Sequence, residues 1–87
     1  MKARPLVGWN LKRLRVMKGL SQEALGLMAE IEPSYVGRIE RGQENTTIET
    51  LEKLASVLDT PVSAFFSVPA IGAKRTSSLK PGRKSKR

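Results

Sequence analysis

Between Val7 and Phe66 the apolar side chains recur at three- and four-residue spacings, and Gly19, Pro33, Gly42 and Pro61 break that rhythm. Such spacing marks one face of a helix, whereas the alternation that a half-buried strand requires is missing almost everywhere. A chain divided in this way builds short helices and must bury their apolar faces against one another. The expected class is therefore all-α, with no internal repeat.

The helices can be placed one by one. Val7, Leu11 and Leu14 share a face of a first helix, expected over about 7–18, while Lys12, Arg13 and Arg15 point elsewhere. Gly19 stops it, and Ser21 opens a second helix as N-cap, over about 22–29, with Ala24, Leu25 and Ala29 as its buried stripe. Pro33 suits the first position of a third helix, where its missing N–H costs nothing. That helix runs to about 41, with Val36 and Ile39 inward and Gly42 ending it. After the loop Gln43-Glu44-Asn45, Thr46 with Glu49 fits a capping box, and Thr47 is an equally good cap. Ile48, Leu51, Leu54, Ala55 and Leu58 follow as the most regular amphipathic stretch, over about 47–58. A last short helix is expected at about 61–66. This makes five helices over residues 7–67, preceded by a flexible arm, 1–6, and followed by a tail, 68–87.

Length and charge narrow the function. The chain has 87 residues, enough for one small domain. With no cysteine and no histidine, finger-type zinc sites and Cys/His nucleophiles are excluded, and no cofactor or metal is expected. No constellation of convergent carboxylates suggests an enzyme. No apolar run approaches the roughly 20 residues of a membrane span, so no membrane partner is expected and the setting should be soluble and cytoplasmic. Sixteen basic residues face eight acids, for a net charge of +8. Six basic groups and no acid lie in residues 1–20; seven basic groups and no acid lie in residues 71–87; the middle holds all eight acids. The last stretch has almost no apolar side chain and should be disordered in isolation. Blocks of one sign point to a polyanion, although a solvated tail is the plainer alternative.

The second and third helices, joined by a tight turn, have the dimensions of a helix-turn-helix, in which the first helix crosses the duplex backbone and the second enters the major groove. The residues go further. Leu11-Lys12-Arg13-Leu14-Arg15, Gly19-Leu20-Ser21-Gln22-Glu23-Ala24-Leu25, Tyr35-Val36-Gly37-Arg38-Ile39-Glu40-Arg41-Gly42 and Asn45-Thr46-Thr47-Ile48, followed by Leu51 and Ala55, stand in the order and spacing of the Cro/repressor or XRE type of regulator, which this stretch resembles. The resemblance implies a compact, five-helix, lambda-repressor-like domain that binds double-stranded DNA near the nucleoid.

It also implies roles. Pro33, Ser34, Tyr35 and Arg38 fall on base-reading positions, with Arg38 suited to guanine O6 and N7 and Ser34 able to donate or accept. Gln22, Arg41, Gln43, Asn45 and Thr46 fall where the family meets phosphates, Gln22 at a helix N-terminus that favours an anion. Arg15 and Glu40 match an ion pair that aims the third helix and touches no DNA. Such proteins bind as symmetric dimers, and Val62, Phe65 and Phe66 are the candidate dimer surface, with Val68 and Ile71 as its candidate extension. The alternative is that Phe65 closes the monomer core and only Phe66 stays outside.

Two positions depart from the pattern. Glu30 stands where the family has a turn glycine, a left-handed position that costs other residues about 1 kcal/mol or more. Gly26 replaces the common alanine, which should loosen the second helix by roughly 0.5–1 kcal/mol. Leu27 and Met28 are apolar where polar residues are usual, which is ordinary for a surface.

The expected function is a homodimeric transcriptional regulator on a palindromic or pseudo-palindromic operator, autoregulatory because no sensing domain fits beside the five helices. Stand-alone relatives include phage repressors and restriction–modification controllers, and Asn45 to Leu54 resembles the controllers more. Activator and repressor stay open. The alternative is a helix-turn-helix antitoxin or interaction regulator whose main partner is a protein.

Overall fold

The computed structural model describes residues 2–69. Among them the chain forms four α-helices, α1 (Ala3–Met17), α2 (Gln22–Ala29), α3 (Pro33–Glu40) and α4 (Ile48–Leu58), and a terminal 3₁₀ helix, Val62–Phe66. The fifth helix is thus a 3₁₀ turn, as suits a five-residue segment too short to gain from α-helical cooperativity. The expected basic tail beyond residue 69, and Ile71 with it, lies outside the described residues.

The first helix starts earlier than its apolar pattern. Residues 3–6, expected in a flexible arm, are helical. Pro5 falls in the first turn, where a backbone N–H would have no intrahelical partner and its absence costs nothing, and the Leu6 amide already donates to the Lys2 carbonyl at 3.0 Å. A methyl group on Gly42 would come within 3.3 Å of the Pro5 Cα, so this turn is seated on the end of α3.

One device ends all four α-helices. Gly19, Glu30, Gly42 and Asp59 take left-handed backbone angles, and the next residue's amide reaches back to a carbonyl of the last turn: Leu20 to Arg15, Ile31 to Gly26, Gln43 to Arg38 and Thr60 to Ala55. These paired bonds satisfy carbonyls that a helix end leaves open. At the other ends, Ser21 Oγ accepts from the Ala24 amide at 2.9 Å, and Thr47, the alternative cap, accepts from Thr50 at 3.1 Å.

The core collects Val7 and Leu11 from α1, Leu25 and Ala29 from α2, Val36 and Ile39 from α3, Leu51, Leu54, Ala55 and Leu58 from α4, and Phe65. Leu14, Leu20, Ile31, Tyr35, Val57 and Val62 pack around it. Ile48, expected in the α4 stripe, is exposed; periodicity fixes which face is apolar, not how far along it the neighbours reach. Two glycines set the helix approach. A Cβ on Gly8 would strike the Glu40 carbonyl oxygen at 2.7 Å, so α1 and α3 touch backbone to backbone. A Cβ on Gly26 would lie 2.7 Å from the Ile31 carbonyl oxygen and 2.9 Å from the Pro33 Cα. Gly26 is therefore the residue that lets the α2–α3 turn fold tightly, a purpose that its cost as a helical glycine does not reveal. Among the described residues no helix is long and apolar enough to cross a membrane.

Candidate nucleic-acid interface

The site is built from behind. Arg15 Nε donates to Glu40 Oε2 at 2.5 Å and Nη2 donates to Oε1 at 3.0 Å. Arg15 Nη1 donates to the Leu20 carbonyl at 2.9 Å, and Gln22 Nε2 donates to Glu40 Oε1 at 3.0 Å. One buried cluster thus joins α1, the turn after it, the first residue of α2 and the last of α3. The two charged side chains are 8% and 4% exposed. A carboxylate at a helix C-terminus opposes the helix dipole, and the arginine supplies the missing positive charge. Deleting either partner would strand a buried charge, at a cost of about 3–5 kcal/mol. The pair ties the end of α3 to α1, the ion pair that the sequence resemblance implies.

With Val36, Gly37 and Ile39 buried, the opposite side of α3 faces out. Ser34 is exposed, Pro33 and Tyr35 are half-buried, and Arg38, one turn beyond Ser34, is partly exposed. Pro33 stands at the first position of α3, with its Cα against the Gly26 backbone. Arg38 meets Tyr35 and Glu44, and Tyr35 in turn reaches Thr46. Its guanidinium lies 5.4 Å from the centre of the Tyr35 ring; its Nε donates to Glu44 Oε2 at 2.6 Å; and the Tyr35 hydroxyl donates to Thr46 Oγ1 over a long 3.4 Å.

The phosphate candidates form a second group. Gly37 lies between Gln22 and Arg41: a Cβ there would sit 3.3 Å from Gln22 Oε1 and 3.2 Å from Arg41 Nη1. Arg41 Nε donates to Gln43 Oε1 at 3.1 Å. Arg41, Gln43 and Asn45 are exposed, Thr46 half-buried. Gln22, at the start of α2, and the Arg41 guanidinium thus come together beside Gly37 of α3, a cation next to a helix N-terminus, which is an arrangement suited to a backbone phosphate.

The candidate dimer surface does not hold together as expected. Phe65 is 0% exposed and closes the monomer core, while Phe66 beside it is 44% exposed. Phe65 is therefore a core residue and not an interface residue. A short helix can direct only one of two adjacent rings inward, and Asn10 anchors the backbone on which Phe65 is the inward one. The buried Asn10 Nδ2 donates to the carbonyls of Leu6 at 3.1 Å, Phe65 at 2.9 Å and Ser67 at 2.8 Å, two hydrogens shared among three acceptors. Arg13 Nη2 donates to its Oδ1 at 2.9 Å. Asn10 carried one signal in the sequence, a polar residue one turn from Val7 on an apolar face. Glu44 carried none, because its role depends on the turn at Gly42 bringing the chain back beside α3.

Comparison with known proteins agrees with this geometry. Residues 11–65 match the helix-turn-helix family HTH_3. The chain is 43% identical over 58 residues to the uncharacterised HTH-type transcriptional regulator y4dJ of Sinorhizobium fredii, covering 67% of this chain and 75% of that protein. It is 37% identical over 59 residues to the HTH-type transcriptional regulator SutR of Escherichia coli, 68% of this chain but only 33% of SutR. Among solved structures, the restriction-modification controller protein C.AhdI from Aeromonas hydrophila superposes with a TM-score of 0.68 at 43% identity, covering 70% of this chain and 92% of that one.

Proposed function

The chain belongs to the HTH_3 helix-turn-helix family of DNA-binding transcriptional regulators, and from that premise we propose that it acts as a homodimer on a palindromic or pseudo-palindromic operator, including one that controls its own gene. The observation that carries this reading is the buried Arg15–Glu40–Gln22 cluster, which braces α3 from behind and leaves Ser34, Tyr35 and Arg38 on its outer side. In this account α3 enters the major groove. Arg38 reads guanine, Ser34 offers a hydroxyl to a base edge, and Tyr35 with Pro33 offers apolar surface to a thymine methyl. Gln22, Arg41, Gln43, Asn45 and Thr46 hold phosphates and fix the register.

One such module makes few contacts, so a two-fold dimer on half-sites about one helical turn apart supplies the rest. Phe66 is the centre of the proposed dimer contact, with Val62 and the exposed Val68 beside it. The kinship with a restriction-modification controller supports a protein whose own concentration sets its output. Bound at a promoter in the cytoplasm, it excludes polymerase or touches it. The seven basic residues of the last 17 add attraction to any duplex, and that share disappears as salt rises.

The test is binding of the full chain to its own upstream DNA and to a scrambled duplex at about 50 and 200 mM salt. The upstream DNA should be bound about 10³-fold or more tighter, with the preference surviving at the higher salt. Equal affinity for both duplexes, lost at the higher salt, would contradict the proposal.

A further inference from the structure

We propose that Glu44, outside the base-reading and phosphate sets above, determines specificity by holding the Arg38 guanidinium in one reading pose; this rests on Arg38 being the base reader.

The chain's path makes the placement. Gly42 turns with a φ of 73°, and the Gln43 amide returns to the Arg38 carbonyl at 2.9 Å. The next side chain, Glu44, is thereby set down beside Arg38, where Oε2 accepts from Nε at 2.6 Å. Tyr35 covers one face of the same guanidinium. A flexible arginine is thus fixed at its Nε edge and against a ring, while among the described residues its two terminal nitrogens keep their hydrogens for another acceptor.

The pair does little for folding. Its side chains are 42% and 26% exposed, and ion pairs that wet contribute little. A carboxylate close to DNA also repels every phosphate. Both facts are a liability in a molecule that only needs to stick to DNA. They become useful in one that must discriminate. An arginine with Nε committed can address guanine only through its two terminal nitrogens, which match O6 and N7. Without that restraint the same arginine is free to turn to a phosphate, which carries no sequence information. Glu44 blocks that option by its position and by its charge.

The test presents a fully randomised duplex library to the full chain and sequences the bound fraction, comparing wild type, Arg38→Ala, Glu44→Ala and Glu44→Gln. Thermal melts confirm that the variants fold, as two partly exposed positions outside the core should allow. Wild type should enrich a guanine in each half-site that Arg38→Ala no longer enriches. Glu44→Ala should weaken that same guanine about fivefold or more while binding the unselected library about two- to threefold tighter. Glu44→Gln keeps an acceptor for Nε and should fall between the two.

Full guanine enrichment in Glu44→Ala, with its loss in Arg38→Ala, would overturn the role of Glu44 and leave Arg38 as the reader. So would tighter binding of Glu44→Ala to guanine-bearing and random duplexes alike, which would make Glu44 a mere competitor. Loss of a cytosine preference in place of the guanine would mean that Glu44 reads a base itself, and would overturn the role too. Unchanged enrichment in Arg38→Ala would bring down the base-reader assignment, a different failure with a different signature.

Discussion

Glu30 and Asp59 are the two residues without glycine's freedom that nevertheless take left-handed angles, φ 60° and 56°. Each closes a helix by the same pair of backbone bonds that Gly19 and Gly42 make without strain. For Glu30 the conformation costs about 1–2 kcal/mol, and its exposed side chain accepts no strong compensating bond among the described residues. Glu30→Gly should therefore stabilise the domain. Relief of strain is offset in part by the greater freedom of glycine in the unfolded chain, about 0.5–1 kcal/mol. A net gain near 0.5–1 kcal/mol should raise Tm by about 3–6 °C, read by thermal denaturation, whereas Glu30→Ala should leave it close to wild type. A lower Tm for the glycine variant would mean that the turn is not strained. Residues of this kind were half-legible in the sequence: the position of the turn and its cost could be read, its survival could not. Gly26 shows the converse. Its cost as a helical glycine was legible, but its purpose was not, because the atoms it makes room for belong to Ile31 and Pro33 across the turn.

At the scale of elements, the chain's punctuation was enough to place α2, α3 and α4 to within a residue or so, because caps and stops are local chemistry. The start of α1 was missed by four residues, since its first turn packs on Gly42 in the turn after α3 and not through an apolar pattern of its own. The Arg15–Glu40 pair was reachable through family resemblance, not through spacing, because the partners are 25 positions apart. The 3₁₀ helix was the hardest element: two adjacent phenylalanines present the same composition whichever one turns inward. Asn10, through three carbonyls, anchors the backbone on which Phe65 faces the core. The two rings should then separate in experiment. Phe65→Ala empties the centre of a small core and should cost about 3–5 kcal/mol, enough to unfold much of the protein in a denaturant or thermal melt. Phe66→Ser should leave the melt of the monomer nearly unchanged and shift the sedimentation profile from dimer toward monomer. A Phe66→Ser protein that remains a dimer would move the interface elsewhere.

For the whole molecule, the arrangement amounts to a braced helix with charge distributed around it. Through residue 70 the basic and acidic residues nearly balance, so the folded part relies on where its cations stand, with Arg38 and Arg41 along α3. On the proposed reading, the basic residues after position 70 supply attraction without discrimination. Affinity and specificity are thereby assigned to different parts of the chain, and salt weakens the first more than the second. The most direct test of the central claim, that two copies each place α3 in a major groove, is hydroxyl-radical footprinting of the full chain on the duplex it binds best from a randomised library. Two protected patches on one face of the DNA are expected, centred about 10 base pairs apart, both fading with Arg38→Ala. A single protected patch, or protection spread evenly along the duplex, would contradict it.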